Sequence, residues 1–413
     1  MTDAPGEGTP VWRTNLRVLM AAQLLAVSAM AIVIPFIPFF VRELGVVERT
    51  AVERWSGVVF SGPFLMAGLL APVWGFLGDR FGHRAMVIRA ISGLALVNFA
   101  LAFVRTPMEF WVLRLVQGAV SGFIPAALAI TSAGTPSRHL PQALGTLQAA
   151  ASAGRLIGPA LGGVLAAVLA FRSIFLLVAG LTAAAAVMIV LWLKEPPRAE
   201  TATRGTARAG VRHILGDGRT LAALALLLLL MTGASMTMPV FPLFVEDLFG
   251  TDGATLLTGI GFAAVALATL LTAVRLGWLS ARFGLRGVLA GSLGVTTVAL
   301  VAHPHVAGMG TMLAVRALLG VGVAGIVPTL HSIVGRRTPE GMRGAVMGFA
   351  SSATIFGFFL GPLAGGWLAG HVGVDGVFRV AAGLTFAGLV CVLLIRRGGG
   401  SRRVIRLPVP TPR

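Results

Sequence analysis

Residues 75–84 read GFLGDRFGHR, and 202 positions later residues 277–286 read GWLSARFGLR. Each decapeptide is a short charged interruption between two long apolar runs, and other segments repeat beside it. The stretch IPFIPFFV at 34–41 returns as MPVFPLFV at 238–245, an offset of 204. Arg114 returns as Arg316 at an offset of 202, and GPALGG of 158–163 returns as GPLAGG of 361–366 at 203. Four matches in one order at nearly constant spacing mark an internal duplication.

Between the matched segments the chain is overwhelmingly apolar. Of its 413 residues 56% are hydrophobic and 12% charged, with a mean hydropathy of +0.89. A soluble domain carries about 25% charged residues, and a soluble chain of this make-up would expose too much apolar surface. The bilayer is therefore the expected solvent. The 54 glycines suit it, because small residues let membrane helices approach closely. A spanning helix takes roughly 20 apolar residues. Runs of that kind fall near 16–41, 55–78, 86–104, 108–132, 141–169, 173–193, 220–245, 254–279, 286–302, 308–333, 343–370 and 377–395. The expected fold is an all-α polytopic membrane protein of twelve transmembrane helices in two six-helix bundles. Six passes separate the members of each matched pair, so the copies keep one orientation. They should form parallel repeats about an axis along the membrane normal, with any central path between them.

The longest polar stretch, 194–219, holds Pro196, Pro197 and many Thr, Arg and Ala residues. It reads as a flexible cytoplasmic linker between bundles at 1–193 and 220–396, and residues 397–413 read as a basic cytoplasmic tail. With the N-terminus placed in the cytoplasm, 24 of the 33 Lys and Arg fall in cytoplasmic segments and adjoining span ends. Six fall in outer loops and three inside spans, namely Arg114, Arg155 and Arg316. That asymmetry predicts an inner-membrane protein with both termini cytoplasmic. Asp3 and Glu7, with no base near them, precede an apolar run too long for a signal core, so the first span should be retained. The net charge of +18 does not predict a nucleic-acid partner, because the arginines are scattered among apolar runs. A single cysteine, Cys391, gives no disulfide framework.

Gly75, Leu77, Asp79, Arg80, Gly82 and Arg84 together resemble the signature loop of the major facilitator superfamily. Gly154, Gly158, Pro159, Gly162 and Gly163 in the fifth span are similar to the motif of its drug:proton antiporters. Arg114, Gln117 and Gly118 resemble a third motif of that group. The stretches IPFIPFFVREL, WSGVVFS, ALGTL and GPALGG further resemble the twelve-span, MdtG-like multidrug-resistance subgroup. The resemblance covers nearly the whole chain. It implies a major facilitator fold and alternating access. It also implies export of small amphipathic or lipophilic molecules by a monomer that draws on a proton gradient and holds no cofactor or metal.

In the family, the loop at 75–84 is implied to latch the inner side against the eleventh span, whose start here follows Arg343. Physically, Asp79 could accept from arginine or from free N–H groups at a helix N-terminus, a charge lock that breaks when the bundles rock. Alternatively, Arg80 and Arg84 are simple positive-inside anchors. Ala281 stands where the second copy would need Asp79, which weakens any lock there. Gly154, Gly158 and Gly162 recur every four residues and so line one helix face for close contact with a neighbour. Pro159 removes one helical hydrogen bond. On its residues alone this is a packing motif, and only the resemblance ties it to exchange. Pro35, Pro38, Pro239 and Pro242 should bend or loosen the first and seventh spans near the outer side.

Arg114 lies several residues inside an apolar span, where a guanidinium is costly and must face the bundle interior. Two readings fit it. The resemblance implicates it in proton movement through a nearby carboxyl; on the other reading it is a structural arginine bonded to carbonyls. Arg316 and Arg155 invite the same two readings, and arginines in a cavity could also attract anionic substrates. None of the fifteen acids falls at mid-membrane, so no proton carrier is evident. Glu43 and its repeat equivalent Asp247, beside Glu246, lie at the outer ends of the first and seventh spans and are the best-placed carboxylates. A solvated loop face is the alternative for each. His331, near the inner end of the tenth span, could titrate near neutrality or be an interfacial residue.

For the substrate path, Gln23, Gln117 and Ser235 offer hydrogen bonds, and Phe36 and Phe241 offer adaptable apolar contact. A mostly uncharged path suits amphipathic solutes better than sugars. The competing reading is a proton-coupled or facilitative carrier of one metabolite, such as a sugar, an amino acid or an organic anion. An enzyme is not expected. The seven histidines lie mostly in or beside loops without ligand spacing, and no Gly-rich phosphate loop with a following Lys-Ser/Thr is present.

Overall fold

In lipid a backbone can satisfy its N–H and C=O groups only within its own helix or a closed barrel, so long apolar runs become helices. The structure, a computed structural model, describes residues 11–195, 212, 214–339 and 342–394, with Asp79 described by its backbone alone. No strand occurs among the described residues. Among these residues eleven stretches are helical, long and apolar enough to cross a membrane. They are Val11–Glu43, Arg49–Gly78, His83–Leu101, Pro107–Gly134, Leu140–Val168, Phe171–Trp192, Gly218–Phe249, Ala254–Ala273, Leu276–His305, Met309–Arg337 and Arg343–Leu394. The last turns back at Gly373, which has a φ of +73°, and therefore makes two passes. Twelve spans result, numbered here in chain order. Span 1 starts and span 12 finishes at the same end of the bundle, the terminal end; the opposite end is the far end. Most of the linker and all of the tail read from the sequence lie outside the described residues.

The duplicated decapeptides make the same turn twice. Gly82 at φ +92° ends span 2 and begins span 3. Its counterpart Gly284, at φ +71°, breaks Leu276–Ala302, so residues 276–283 continue span 8 and span 9 follows. Only glycine holds such a φ without strain. The repeated prolines also act alike. Span 1 passes from Val11–Ile32 through a 3-10 turn at Ile34–Phe36 into Ile37–Glu43. Span 7 runs as Gly218–Met236, a turn, and Phe241–Phe249. Prolines lacking an N–H cannot complete the helical ladder at either place.

Span 1 packs on spans 5 and 6, span 2 on span 4, and span 3 on span 6; the last six spans form a second group around spans 7 and 10. Aromatic clusters fill the far end of each group. Phe40 meets Phe110 and Phe175 at 5.1 Å between centroids, and Phe244 meets Phe378 at 5.3 Å.

The two groups touch along two seams, span 2 on span 11 and span 5 on span 8. Near the far end both seams are backbone-close. A Cβ at Gly57 would stand 2.5 Å from the Pro362 carbonyl and 3.0 Å from Gly366 Cα. One at Gly259 would stand 2.5 Å from the Pro159 carbonyl and 2.8 Å from Gly163 Cα. The four glycines are repeat counterparts, so one tight contact is made twice. Phe64 and Phe358 still stack across the first seam at 5.3 Å. Toward the terminal end the same faces separate. Ala71, Pro72 and Gly75 on span 2 and Gly145, Gln148 and Ala149 on span 5 are exposed. No described atom comes within 4 Å of a Cβ placed at Gly75, Gly277, Gly344 or Gly348. The bundle is closed at the far end and parted at the terminal end.

Candidate functional site

The first half of span 4, Pro107–Ala119, starts with a Thr106 cap on the Glu109 N–H and carries Arg114 into the interior. Arg114 Nε donates to the Val59 carbonyl of span 2 at 3.2 Å and Nη1 to Gln117 Oε1 at 2.6 Å. Gln117 Nε2 in turn donates to Asn98 Oδ1 of span 3 at 2.9 Å. All three side chains are buried. Arg316 repeats the first of these bonds on the repeat-equivalent residue, its Nε donating to the Gly261 carbonyl at 3.3 Å. The symmetry ends there. Leu319 and Leu300 stand at the places of Gln117 and Asn98, and the Arg316 guanidinium instead lies 3.5 Å from the ring centre of Phe241. Among the described residues no carboxylate pairs with either arginine. Carbonyl and amide bonds in one half, and a carbonyl and aromatic faces in the other, offset the cost of burying each charge.

At the far end a second charged group crosses between the halves. Arg42 Nη1, at the end of span 1, lies 2.5 Å from Glu246 Oε1 of span 7. Arg49, at the start of span 2, reaches Asp247 at 2.7 Å, Glu246 at 3.4 Å and Glu53 on its own helix at 3.1 Å. Glu246 and Glu53 are buried. The two carboxylates singled out from the sequence lie differently. Asp247 is exposed and held by Arg49, while Glu43 is exposed and 3.4 Å from Arg172. The buried neighbour Glu246 is the residue that both arginines of the other half grip.

In the 75–84 loop, Arg84 is committed to its own half. Its guanidinium donates to the Leu193 and Val190 carbonyls at the end of span 6, at 2.6 and 2.9 Å. The N–H groups of His83 and Arg84, at the start of span 3, donate to the Glu195 carboxylate at 3.0 and 2.8 Å. Arg286 repeats the clamp on span 12 through the Val392 and Leu393 carbonyls at 2.9 and 2.6 Å. Arg80 lies 5.5 Å from the Phe81 ring centre. No described atom lies within 4 Å of a Cβ placed at Gly75, and the Asp79 side chain lies outside the described residues. An acid does cap a helix start in this loop, and that acid is Glu195.

The glycine motif divides its work. Added Cβ atoms at Gly154, Gly158 and Gly162 would run into span 1, whereas one at Gly163 would run into span 8. Pro159 is buried and presents its carbonyl to Gly259. The five residues expected along the path lie as follows. Gln23 donates to the Leu147 carbonyl at 2.9 Å, and Ser235 to the Gly357 carbonyl at 3.0 Å. Phe36 stacks on Phe171 at 5.1 Å, Phe241 lies beneath Arg316, and Gln117 belongs to the arginine relay. All five are buried in this state. Their polar or bulky side chains tie neighbouring spans together. His331 is half-buried, with Nε2 lacking a partner among the described residues. His303, one of the seven histidines weighed in the sequence, is buried and stacks on Phe378 at 4.5 Å.

Two parallel six-span groups, closed at one end and parted at the other around buried arginines, define a multi-pass membrane transporter. Residues 19–262 and 224–411 match the sequence profile of the Major Facilitator Superfamily, and the chain belongs to that family. An MFS-type transporter of Bacillus subtilis (strain 168), YuxJ, is 31% identical over 371 residues, 89% of this chain and 94% of its own. Multidrug resistance protein MdtG of Proteus mirabilis (strain HI4320) is 28% identical over 381 residues, 92% of this chain and 95% of its own. Among solved structures, the nucleoside transporter NupG superposes with a TM-score of 0.74 at 14% identity, over 92% of this chain and 98% of its own. The fold is thus the all-α major facilitator fold, and the protein is a transporter rather than an enzyme.

Proposed function

We propose that this protein is a secondary active exporter of small amphipathic compounds, exchanging them for protons by alternating access. The observation that carries this reading is the contrast between the far end, shut by paired glycines and an ion-pair cluster across the halves, and the parted terminal end. Such a bundle holds one of the two states that rocking interconverts. The MdtG relatives support drug-like substrates. In this reading the protein lies in the cytoplasmic membrane as a monomer, with the termini and the segment 194–219 on the cytoplasmic side between bundles at 1–193 and 220–396. The structure is then the inward-open state. Arg114 is the fixed charge of proton coupling, with Glu43 and Asp247 as its candidate carboxylates, and the 75–84 loop latches the terminal end in the opposite state. The test is dye accumulation in inside-out vesicles under an imposed proton gradient. Accumulation should collapse with a protonophore. Transport that survives one would overturn antiport, and gradient-independent uptake of a single sugar would overturn export.

A further inference from the structure

We propose that the parted terminal end is an anion-recognition site, that Arg155 contacts the anion, and that the exported compounds are amphipathic organic anions. This rests on the export reading above and specifies its substrate class.

Arg155 lies in span 5, and successive helical residues are about 100° apart. The span exposes Ile157, Leu161, Val164 and Val168 toward its far half, which makes their side the lipid face. Val164 is nine residues from Arg155, half a turn away around the axis. The Gly154, Gly158 and Gly162 side is closed by span 1, and the Gly163 side meets span 8. Below Gly163 that second side carries the exposed Gly145 and Gln148 and comes free as the seam parts. Arg155 falls between the span 1 side and the parted side, yet it is exposed. Its guanidinium therefore stands in the opening. Its bond is to Ser152 Oγ, at a marginal 3.4 Å, and no carboxylate among the described residues pairs with it.

The surroundings carry the same sign. Among the described residues no acid lies in the middle of a span; each sits in a loop or within about two turns of a span end. Arg114 and Arg316 are buried in the walls without carboxylate partners among the described residues. Arg13 and Arg17 line one cleft toward the terminal end, and Arg336 lines another. Uncompensated positive charge between low-dielectric walls attracts anions and opposes cations. A guanidinium fork matches the oxygens of a carboxylate, sulfonate or phosphate. With the terminal end cytoplasmic, an inside-negative potential also favours outward movement of an anion.

The test uses the full chain in proteoliposomes under a proton gradient. The probes share one fluorophore, namely dansylglycine (anion), its methyl ester (neutral) and dansylcadaverine (cation). The wild type should move the anion at least tenfold faster than the cation. Arg155→Gln should cut anion transport tenfold or more, and Arg155→Lys should largely retain it. Ser152→Glu, which places a carboxylate beside the intact arginine, should reproduce the loss and decides the matter if Arg155→Gln fails to fold. Preference for the cation, or anion transport unchanged in Ser152→Glu, overturns the proposal. Gradient-driven export of ethidium but not dansylglycine sinks the anionic class and leaves the export reading standing. Export of none of these compounds sinks both.

Discussion

Arg42 and Glu246 stand 2.5 Å apart, and they belong to different halves of the molecule. Arg49 approaches the same carboxylate from the next span at 3.4 Å, so the one buried side chain holds both arginines. Removing one partner of a buried pair costs about 3–5 kcal/mol, but each arginine is about one-third exposed, which reduces the figure. A loss of about 1.4 kcal/mol would shift an open–closed equilibrium roughly tenfold. Glu246→Gln should therefore raise the population with the far end open about tenfold. Spin labels at the exposed Val47 and Asp252 would report it as growth of a longer distance, and an unchanged distribution would refute the lock. Asp247→Asn, at the exposed partner, should move the distribution far less.

The seam glycines make a steric prediction about the same equilibrium. Gly163 and Gly259 leave no room for a Cβ, nor do Gly57 and Gly366. Gly163→Val should wedge the far end apart, leaving the protein folded but favouring the opposite state. The same labels should show the longer distance, and transport should fall at least tenfold because closure is blocked. Gly145→Val, on the same helix where the seam has parted, should keep the far end shut in this state.

The polar relay in the first half should behave as one unit. Asn98→Leu leaves the Gln117 amide without its acceptor, and Gln117→Leu leaves Arg114 Nη1 without its own. An orphaned buried group costs about 1–3 kcal/mol. Each variant should lower thermal stability, and the double variant should lose less than the sum, with a coupling of roughly 0.5–3 kcal/mol. Additive losses in a double-mutant cycle would show that the relay does not act as a unit. Transport should fall further than stability alone predicts if the relay holds Arg114 in position.

Much of this architecture was legible in the residues. Apolar runs of spanning length can be little else, the repeat at an offset of 202–204 sets the parallel halves, and Arg114 and Arg316 stand out as charges inside apolar runs. Partnership was not legible. Glu246 and Asp247 are adjacent acids about 100° apart on one helix, and nothing local says which direction holds the other half. That Gln23 and Ser235 bond the Leu147 and Gly357 carbonyls was hidden because a polar side chain looks the same whether it faces a channel or a neighbouring carbonyl. Glu195 was hidden because the helix it caps begins 112 residues earlier. The spacing of Gly154, Gly158 and Gly162 gave one face, and all three meet span 1, but nothing local said that Gly163 meets span 8. Periodicity gives faces, and only tertiary packing assigns each face a neighbour.

Acid should weaken the start of span 7. Asp217 caps that helix, accepting from the N–H groups of Arg219 and Thr220 at 3.2 and 3.3 Å and from the Thr220 hydroxyl at 2.5 Å. The Thr220 hydroxyl bond, helped by the two backbone bonds, holds its carboxyl below the usual carboxylate range. A carboxyl with a lowered folded-state pKa binds protons more readily in the unfolded chain, so its contribution is fully present above the unfolded value, about 3.9. That contribution fades as the pH falls through the lower folded value. Asp217→Asn keeps a capping oxygen without the charge. It should remain close to the wild type in thermal stability near neutrality and should flatten the acid limb of the stability profile below pH of about 4. Asp217→Ala should lose about 1 kcal/mol across the neutral range, because the free N–H groups of the first turn then have no partner. Thermal unfolding in detergent from pH 3 to 7 distinguishes these outcomes. An acid limb of the same depth in Asp217→Asn would place the sensitivity in another carboxylate.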